Sequence, residues 1–308
     1  MAILIATARP LPDGWLPALE QALASEAVSV WPDTAGLAEI DCVVMAGPVP
    51  GLLRQMPRVR LIHTLGMGVD HILGDPDLPP GAVVCRVVDE GMTDQMAEYV
   101  TLAVLRVERE SDRFDAHQRK EDWQRRFLVT KRRSVAVLGL GAVGRECARR
   151  LHFLGFPVLG WSRSASALEG IETFAGADGL AALLPRADIV VCALPLTEET
   201  KDLLNGNFLS QLPRGAHIIN VGRGQHVVDN DLLAALDSGH LGGATLDVFR
   251  TEPLPPGHPF WRHDKVRVTP HSAGISSPAM AARRILENLA RVRAGLTPLD
   301  QAFSDRGY

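Results

Sequence analysis

Residues 134–147 read SVAVLGLGAVGREC, and the fold turns on how they are read. An apolar run from Val135 to Leu138 has the length and composition of a buried strand. Gly139-Leu140-Gly141-Ala142-Val143-Gly144 follows, and then residues that favour a helix. Gly139 permits a tight turn, Gly141 lets the backbone come close to a pyrophosphate, and Gly144 lets the helix pack tightly on the strand. Phosphates bound there would meet the helix N-terminus, where unpaired N–H groups and the helix dipole favour anions. Glycines at this spacing are common in turns. Their place between a strand and a helix marks Gly139, Gly141, Ala142, Val143 and Gly144 as a dinucleotide site.

The same alternation extends in both directions. Upstream, AILIAT, VSVWP, DCVVMAG, RLIHTLG and AVVCRV are short apolar runs, and WLPALEQALASE has helical spacing. Downstream come FPVLGWSR, ADIVVCALP, HIINVG, GATLDVF and KVRVTPH. Strands alternating with helices predict parallel sheets covered on both faces. Between the two series, MAEYVTLAVLRVERESDRFDAHQRKEDW predicts one long helix, and SPAMAARRILENLARVRAGL predicts a last helix that packs back on the first domain. The expectation is an α/β chain of two doubly wound parallel-sheet domains. Residues 1–97 plus 276–308 would form one domain and residues 98–275 a nucleotide-binding one.

The chain has 308 residues, 46% hydrophobic and 22% charged, with a net charge of −4. That is globular composition, and it gives no general attraction to nucleic acid or anionic membranes. Cys42, Cys85, Cys147 and Cys192 lack metal-ligand or paired spacing and sit in apolar sequence, so they are expected as buried thiols. MAILIATARP carries no basic leader and is too short for a membrane span. A cytoplasmic protein in a reducing compartment is expected, with no metal and no membrane partner.

Cofactor choice is addressed by VLGWSR, residues 158–163. A domain that binds NAD carries a carboxylate at the end of this strand, for the ribose 2′-hydroxyl. Here Ser162 and Arg163 stand instead, a hydroxyl and a guanidinium suited to a 2′-phosphate. NADPH is therefore the expected cofactor, with NADH as a weaker alternative.

Three further segments carry reactive side chains. IINVGRGQHVVD places Arg223 in a glycine-flanked turn after an apolar strand, GATLDVFRTEPLP places Glu252 after the next, and VRVTPHSAG places His271 after the last. Strand C-terminal ends are where open α/β sheets bind ligands. Singly, each residue has an ordinary structural explanation, and together they point to a catalytic set.

The series GLGAVG, NVGRG, DVFRTEPL and TPH resembles the D-isomer-specific 2-hydroxyacid dehydrogenase family, and within it the bacterial NADPH-dependent glyoxylate/hydroxypyruvate reductases. GMTDQMAEYV, LLAALDSGHLGGATLDVF, EPLPPGHPFWRHDKVRVTPH and the closing DRGY support the likeness, which covers residues 60–308. The resemblance implies a flavodoxin-like substrate domain and a Rossmann cofactor domain, with the active site in the cleft between them. It implies reduction of a small 2-oxo acid, glyoxylate to glycolate or hydroxypyruvate to D-glycerate. His271 would be the general acid, Glu252 its orienting partner, and Arg223 the group that grips the substrate carboxylate. Leu65, Gly66, Met67 and Gly68, within HTLGMGVDH, resemble the loop whose backbone N–H groups bind that carboxylate. Leu194, Pro195, Thr200, Val221, Gly222, Asp247 and His271 would border the cofactor. Members dimerise through the cofactor domain, so a homodimer is expected. One departure stands out: the loop MAGPVPG (45–51) has no aromatic residue where such reductases often carry one.

HQRKEDWQRRFLVTKRR (117–133) holds seven Arg or Lys residues with Trp123 and Phe127 interleaved. Glu121 and Asp122 interrupt it and the whole chain is acidic, so a solvated or subunit-contacting face is expected and not a nucleic-acid site. The competing readings are a dehydrogenase for a larger D-2-hydroxy acid and a dinucleotide-sensing interaction protein. A binding protein has no need of Arg223, Glu252 and His271 together.

Overall fold

The structure, a computed structural model, describes residues 2–7, 11–33, 35–88, 90–125 and 132–303. The segment 126–131, with Phe127, and the DRGY ending lie outside the described residues. Backbone contacts divide the chain into two units, Met1–Met92 with Ile275–Tyr308, and Thr93–Gly274.

In the first unit the chain runs β1 (Ala2–Thr7), α1 (Trp15–Ala22), β2 (Ala27–Val30), β3 (Ile40–Ala46), β4 (Leu61–Thr64), α2 (Asp70–Leu73) and β5 (Val83–Cys85). The strands form one sheet in the order β2-β1-β3-β4-β5, all parallel, which is the flavodoxin-like order. The central strands β1, β3 and β4 are buried almost throughout and do not alternate, because both sheet faces are covered there, while the edge strand β2 is partly exposed. Ile3, Ile5, Cys42, Val44 and Leu61 pack toward Trp15 and Leu19 of α1. Leu4, Val43, Met45 and Ile62 face Leu53 and Ile72 on the other side.

In the second unit come α3 (Glu90–Glu108), which begins just before the division, α4 (Ser111–Gln118), β6 (Val135–Leu138), α5 (Ala142–Phe153), β7 (Val158–Ser162), β8 (Glu172–Ala175), α6 (Gly176–Leu183), β9 (Ile189–Cys192), α7 (Gly206–Ser210), β10 (Ala216–Asn220), α8 (Asp229–Asp237), β11 (Leu241–Leu246) and β12 (Val266–Val268). Its seven strands lie parallel in the order β12-β11-β10-β9-β6-β7-β8. After β8 the chain crosses to the far side of β6 to start β9, so the switch point of a Rossmann sheet falls between β6 and β9. Residues of α6, α7 and α8 cover one face of this sheet, and residues of α3 and α5 cover the other. Ala97, Val100, Ala103 and Val104 of α3 belong to that second core, which is why the division falls between Met92 and Thr93 and not further along the helix.

Two expectations need correction. The stretch 96–123 is not one helix: it breaks at Glu110, which adopts φ 51°, and resumes as α4. Arg106 closes the corner with ion pairs of 2.7 Å to Asp112 and Asp115. β8 was not foreseen, because this edge strand, Glu172–Ala175, is only half-buried and lacks an apolar run.

The chain returns to the first unit as α9 (Pro278–Arg293). Ser277 caps it, its side chain accepting from the Met280 N–H at 3.2 Å, and Pro278 opens the first turn. Ala281, Ala282, Ile285, Leu289 and Val292 make the buried stripe that packs with α1.

Candidate active site

β6 delivers the chain into the glycine turn, and the conformation explains each glycine. Gly139 has φ 95°, and a Cβ there would lie 2.7 Å from the Ala193 carbonyl oxygen. A Cβ on Gly144 would lie 1.7 Å from the Gly139 carbonyl oxygen, so only glycine lets α5 start this close to β6. Gly141 is the N-cap of α5, with no side-chain cap, and no heavy atom lies within 4 Å of where its Cβ would be. With Ala142 and Val143 opening the helix and no acidic residue in the first turn, this is open, amide-lined space that fits an anion.

At the end of β7 the Ser162 hydroxyl donates to the Ser164 carbonyl at 2.7 Å. Arg163 lies 3.7 Å from the Glu199 carboxylate, both side chains at least half exposed at 50% and 71%. Glu199 is a neighbour that the sequence did not announce. Arg145, directly after the last glycine, donates to Leu140 O at 2.9 Å and to Ser166 Oγ at 2.5 Å, tying the glycine turn to the segment beyond β7. After β9, Leu194 is buried, and the Thr200 hydroxyl donates to the Pro195 carbonyl at 2.8 Å.

β10 ends at Asn220, and the turn that follows holds Arg223 by its own backbone. The Asn220 side chain donates to the Arg223 carbonyl at 2.8 Å and accepts from the Gly222 N–H at 3.1 Å. The Arg223 N–H donates to His226 Nδ1 at 3.0 Å, and its guanidinium donates to the Gly222 carbonyl at 2.9 Å. Val221 and Gly222 are buried. A Cβ at Gly224 would sit 1.8 Å from the Phe249 carbonyl carbon, so this turn lies directly on the segment that leads to Glu252.

Glu252 uses both oxygens. Oε1 accepts from the Phe249 N–H at 3.0 Å, and Oε2 lies 2.9 Å from His271 Nδ1. That contact leaves Nε2 as the ring nitrogen remote from the carboxylate, on a side chain 48% exposed. His271 itself has φ 54°, an unfavourable conformation for a non-glycine residue, so something must hold the turn. Asp247 does. It is 1% exposed, and its carboxylate accepts from Thr269 Oγ1 at 2.6 Å, Ser272 N–H at 2.9 Å and Ala273 N–H at 3.0 Å. Its carbonyl accepts from the His271 N–H at 2.8 Å. Tyr99 of α3 completes the chain, its hydroxyl 2.6 Å from Thr269 Oγ1. Burial pushes that phenol up to about 12, which keeps it a neutral partner.

The second unit thus brings together the glycine turn, Arg223, Glu252, Asp247 and His271. Leu65–Gly68 belongs to the first unit. There the Thr64 hydroxyl donates to the Gly66 carbonyl at 2.5 Å, the Val87 N–H donates to the same carbonyl at 3.1 Å, and Gly66, Met67 and Gly68 are half-buried. Below this loop His63 is fully buried, and burial lowers it from 6.5 to about 4. Sequence reading passed over Tyr99, Asn220, His226 and Thr269. Asn220, His226 and Thr269 lie within three residues of Arg223 or His271 in the chain, whereas Tyr99 is remote from all of them. Among the described residues no group of three or more His, Cys, Asp or Glu is arranged to hold a metal ion, and no helix is long and apolar enough to cross a membrane.

Residues 101–273 match the family described as D-isomer specific 2-hydroxyacid dehydrogenase, NAD binding domain. The chain belongs to this 2-hydroxyacid dehydrogenase family. It is 39% identical to glyoxylate/hydroxypyruvate reductase A of Serratia proteamaculans over 292 residues, 92% of each chain. It is similar in structure to a family member from Xanthobacter autotrophicus in complex with NADPH and MES, at TM-score 0.93 and 40% identity, covering 100% of this chain and 99% of that one. An NADPH-dependent glyoxylate/hydroxypyruvate reductase from Sinorhizobium meliloti, in complex with NADP and sulfate, aligns at TM-score 0.91 and 35% identity, over 100% of this chain and 99% of that one. The two parallel-sheet domains read from the sequence are therefore those of the family.

Proposed function

We propose that this 2-hydroxyacid dehydrogenase reduces a small 2-oxo acid with NADPH, glyoxylate to glycolate and hydroxypyruvate to D-glycerate. The observation that carries the reading is the 2.9 Å contact of Glu252 with His271 Nδ1, in the unit that also holds the open glycine turn. The likeness to NADPH-dependent reductases supports it.

The residues present fit the cofactor. The amides of Gly141, Ala142 and Val143 hold its pyrophosphate, with Gly139 and Gly144 shaping the turn. Ser162 and Arg163 take the 2′-phosphate, and Leu194, Pro195, Thr200, Val221, Gly222 and Asp247 border the rest. NADPH, when bound, supplies the hydride for C2 of the 2-oxo acid. Arg223 binds the substrate carboxylate with its planar fork and draws electron density from the C2 carbonyl. His271 presents Nε2 to the C2 oxygen and gives it a proton, while Glu252 on Nδ1 fixes the ring orientation. The N–H groups of Leu65, Gly66, Met67 and Gly68 form the carboxylate loop, a role that rests on the family likeness.

The four cysteines are unpaired and buried, in keeping with work in the cytoplasm. The second unit exposes Leu102 at 59%, Trp123 at 90% and Phe153 at 87%, apolar surface that suits the contact face of a homodimer. A second substrate reading, a larger 2-oxo acid, rests on the family likeness and one sequence feature: the loop 45–51 carries no aromatic residue.

The test follows loss of nicotinamide absorbance with glyoxylate, hydroxypyruvate and pyruvate, using NADPH and NADH in parallel. Rapid oxidation of NADPH is expected, and slower oxidation of NADH. His271→Ala and Arg223→Ala are each expected to lower kcat/KM by about 10²–10⁴ without unfolding the chain, since both side chains lie at strand ends and not in a core. Near-normal turnover in both variants rejects the assignment.

A further inference from the structure

His226 has no part in the chemistry above, yet it is fully buried against the residue that grips the substrate. Nδ1 accepts the Arg223 N–H at 3.0 Å, and Nε2 lies 3.3 Å from the Pro195 carbonyl oxygen. A ring nitrogen that accepts carries no proton, so the hydrogen is on Nε2 and is donated to Pro195. The Cys192 sulfur lies 3.6 Å from Nδ1, and burial pushes that thiol up to about 12, so no thiolate competes for the ring. The ring also presses on Gly222, where a Cβ would lie 2.9 Å from Cε1. One imidazole thus joins the end of β9, the Pro195 loop and the turn that presents Arg223. The Pro195 carbonyl is the same one that accepts the Thr200 hydroxyl, so the ring closes a loop already folded on itself.

We propose that His226 is a positioning residue that, through its two ring nitrogens, sets the placement of Arg223 for the 2-oxo acid and that of the Leu194–Thr200 loop for the cofactor. The proposal rests on the reading of Arg223 as the substrate-carboxylate ligand. A histidine that merely fills core space would not need opposite polarity on its two nitrogens. Each nitrogen here meets a backbone group of a different functional segment. A buried N–H or C=O whose partner is removed costs free energy, and the turn shifts to recover it.

The two contacts can be separated. An asparagine at this position places its carbonyl oxygen near Nδ1 and keeps the acceptor for Arg223, but does not reach Pro195. A glutamine reaches the Nε2 position and keeps the donor for Pro195, but offers nothing at Nδ1. In the full-length protein with glyoxylate and NADPH, H226N is expected to raise KM for NADPH about tenfold and to leave KM for glyoxylate within about threefold. H226Q is expected to do the reverse, raising KM for glyoxylate about tenfold and lowering kcat. Equal effects of both variants on both constants, following a common loss of thermal midpoint, would mean that His226 is structural only and would overturn the proposal.

Should neither variant fold, NMR of the ring nitrogens in the unaltered protein decides the matter. An Nε2–H tautomer is expected, and an Nδ1–H tautomer overturns the proposal. Turnover by the unaltered protein is measured alongside. Its absence removes the reading of Arg223 and the inference with it, whereas turnover without the split in KM removes the inference alone.

Discussion

Replacing Asp247 by Asn tests how the His271 turn is held. The aspartate carboxylate accepts from Thr269 Oγ1 and Ser272 N–H on one oxygen and from Ala273 N–H on the other. An asparagine has one accepting oxygen and one NH₂ group. With the NH₂ on the Ala273 side, two donors face each other there. With it on the other side, the threonine hydroxyl can rotate to accept, and the Ser272 N–H faces the NH₂ instead. Either way one backbone N–H loses its acceptor, and the surviving bonds change from charged to neutral. A lost charged hydrogen bond together with a buried unmatched donor comes to about 2–3 kcal/mol. Amide exchange at Ser272 or Ala273 through local opening should then quicken by roughly 30- to 150-fold, at about 1.4 kcal/mol per decade. The assay is hydrogen exchange on protein without cofactor, so that any contact of Asp247 with the nicotinamide does not enter. Because His271 sits at φ 54° on this turn, kcat/KM should fall by at least about tenfold in parallel. Unchanged exchange at both amides, with kcat/KM within twofold, would refute the claim that this carboxylate holds the turn.

Arg163→Ala should weaken NADPH binding by about 1–3 kcal/mol and leave NADH nearly unchanged, as isothermal titration would read. Glu199→Gln should strengthen NADPH binding by about 0.5 kcal/mol, since it removes an exposed carboxylate from beside Arg163; weaker binding would show that Glu199 orients the arginine and does not compete. Gly144→Ala should cost about 3 kcal/mol or more and abolish NADPH binding, because its Cβ would lie 1.7 Å from Gly139 O and the turn cannot yield that far; normal binding would show that it can. His63 is held near 4 by burial, against 6.5 in the unfolded chain. As pH falls from about 6.5 to about 4 the unfolded chain takes up a proton that the folded chain refuses, so His63 removes up to about 3 kcal/mol of stability across that window and nothing above it. A His63→Gln variant whose thermal midpoint falls just as steeply with acid would dismiss this source.

What could be read from the chain shares one property, which is short range. The strand, glycine turn and helix of residues 134–147 declare themselves because each glycine answers a requirement set by residues a few positions away. A Cβ on Gly144 would lie 1.7 Å from the Gly139 carbonyl oxygen, across a single turn. The continuous apolar runs of β1, β3, β6 and β9 signalled strands covered on both faces. β8 escaped because an edge strand is covered less and needs no such run. The break at Glu110 escaped because the corner is closed by Arg106 reaching forward to Asp112 and Asp115 on the next helix, a charge pattern that a single helix could also carry.

By itself, the sequence determined the two parallel-sheet domains, the glycine turn between β6 and α5, the choice of Ser162 and Arg163 over an acid, and the presence of Arg223, Glu252 and His271 at strand ends. Only the tertiary structure decided what stands around them. Tyr99 meets Thr269 across 170 residues of sequence, Arg163 finds Glu199 on a different loop, and His226 reaches Pro195 in the loop after β9. Period and spacing report the local preference of a backbone, whereas these contacts exist only because parallel strands bring remote segments to one edge of a sheet.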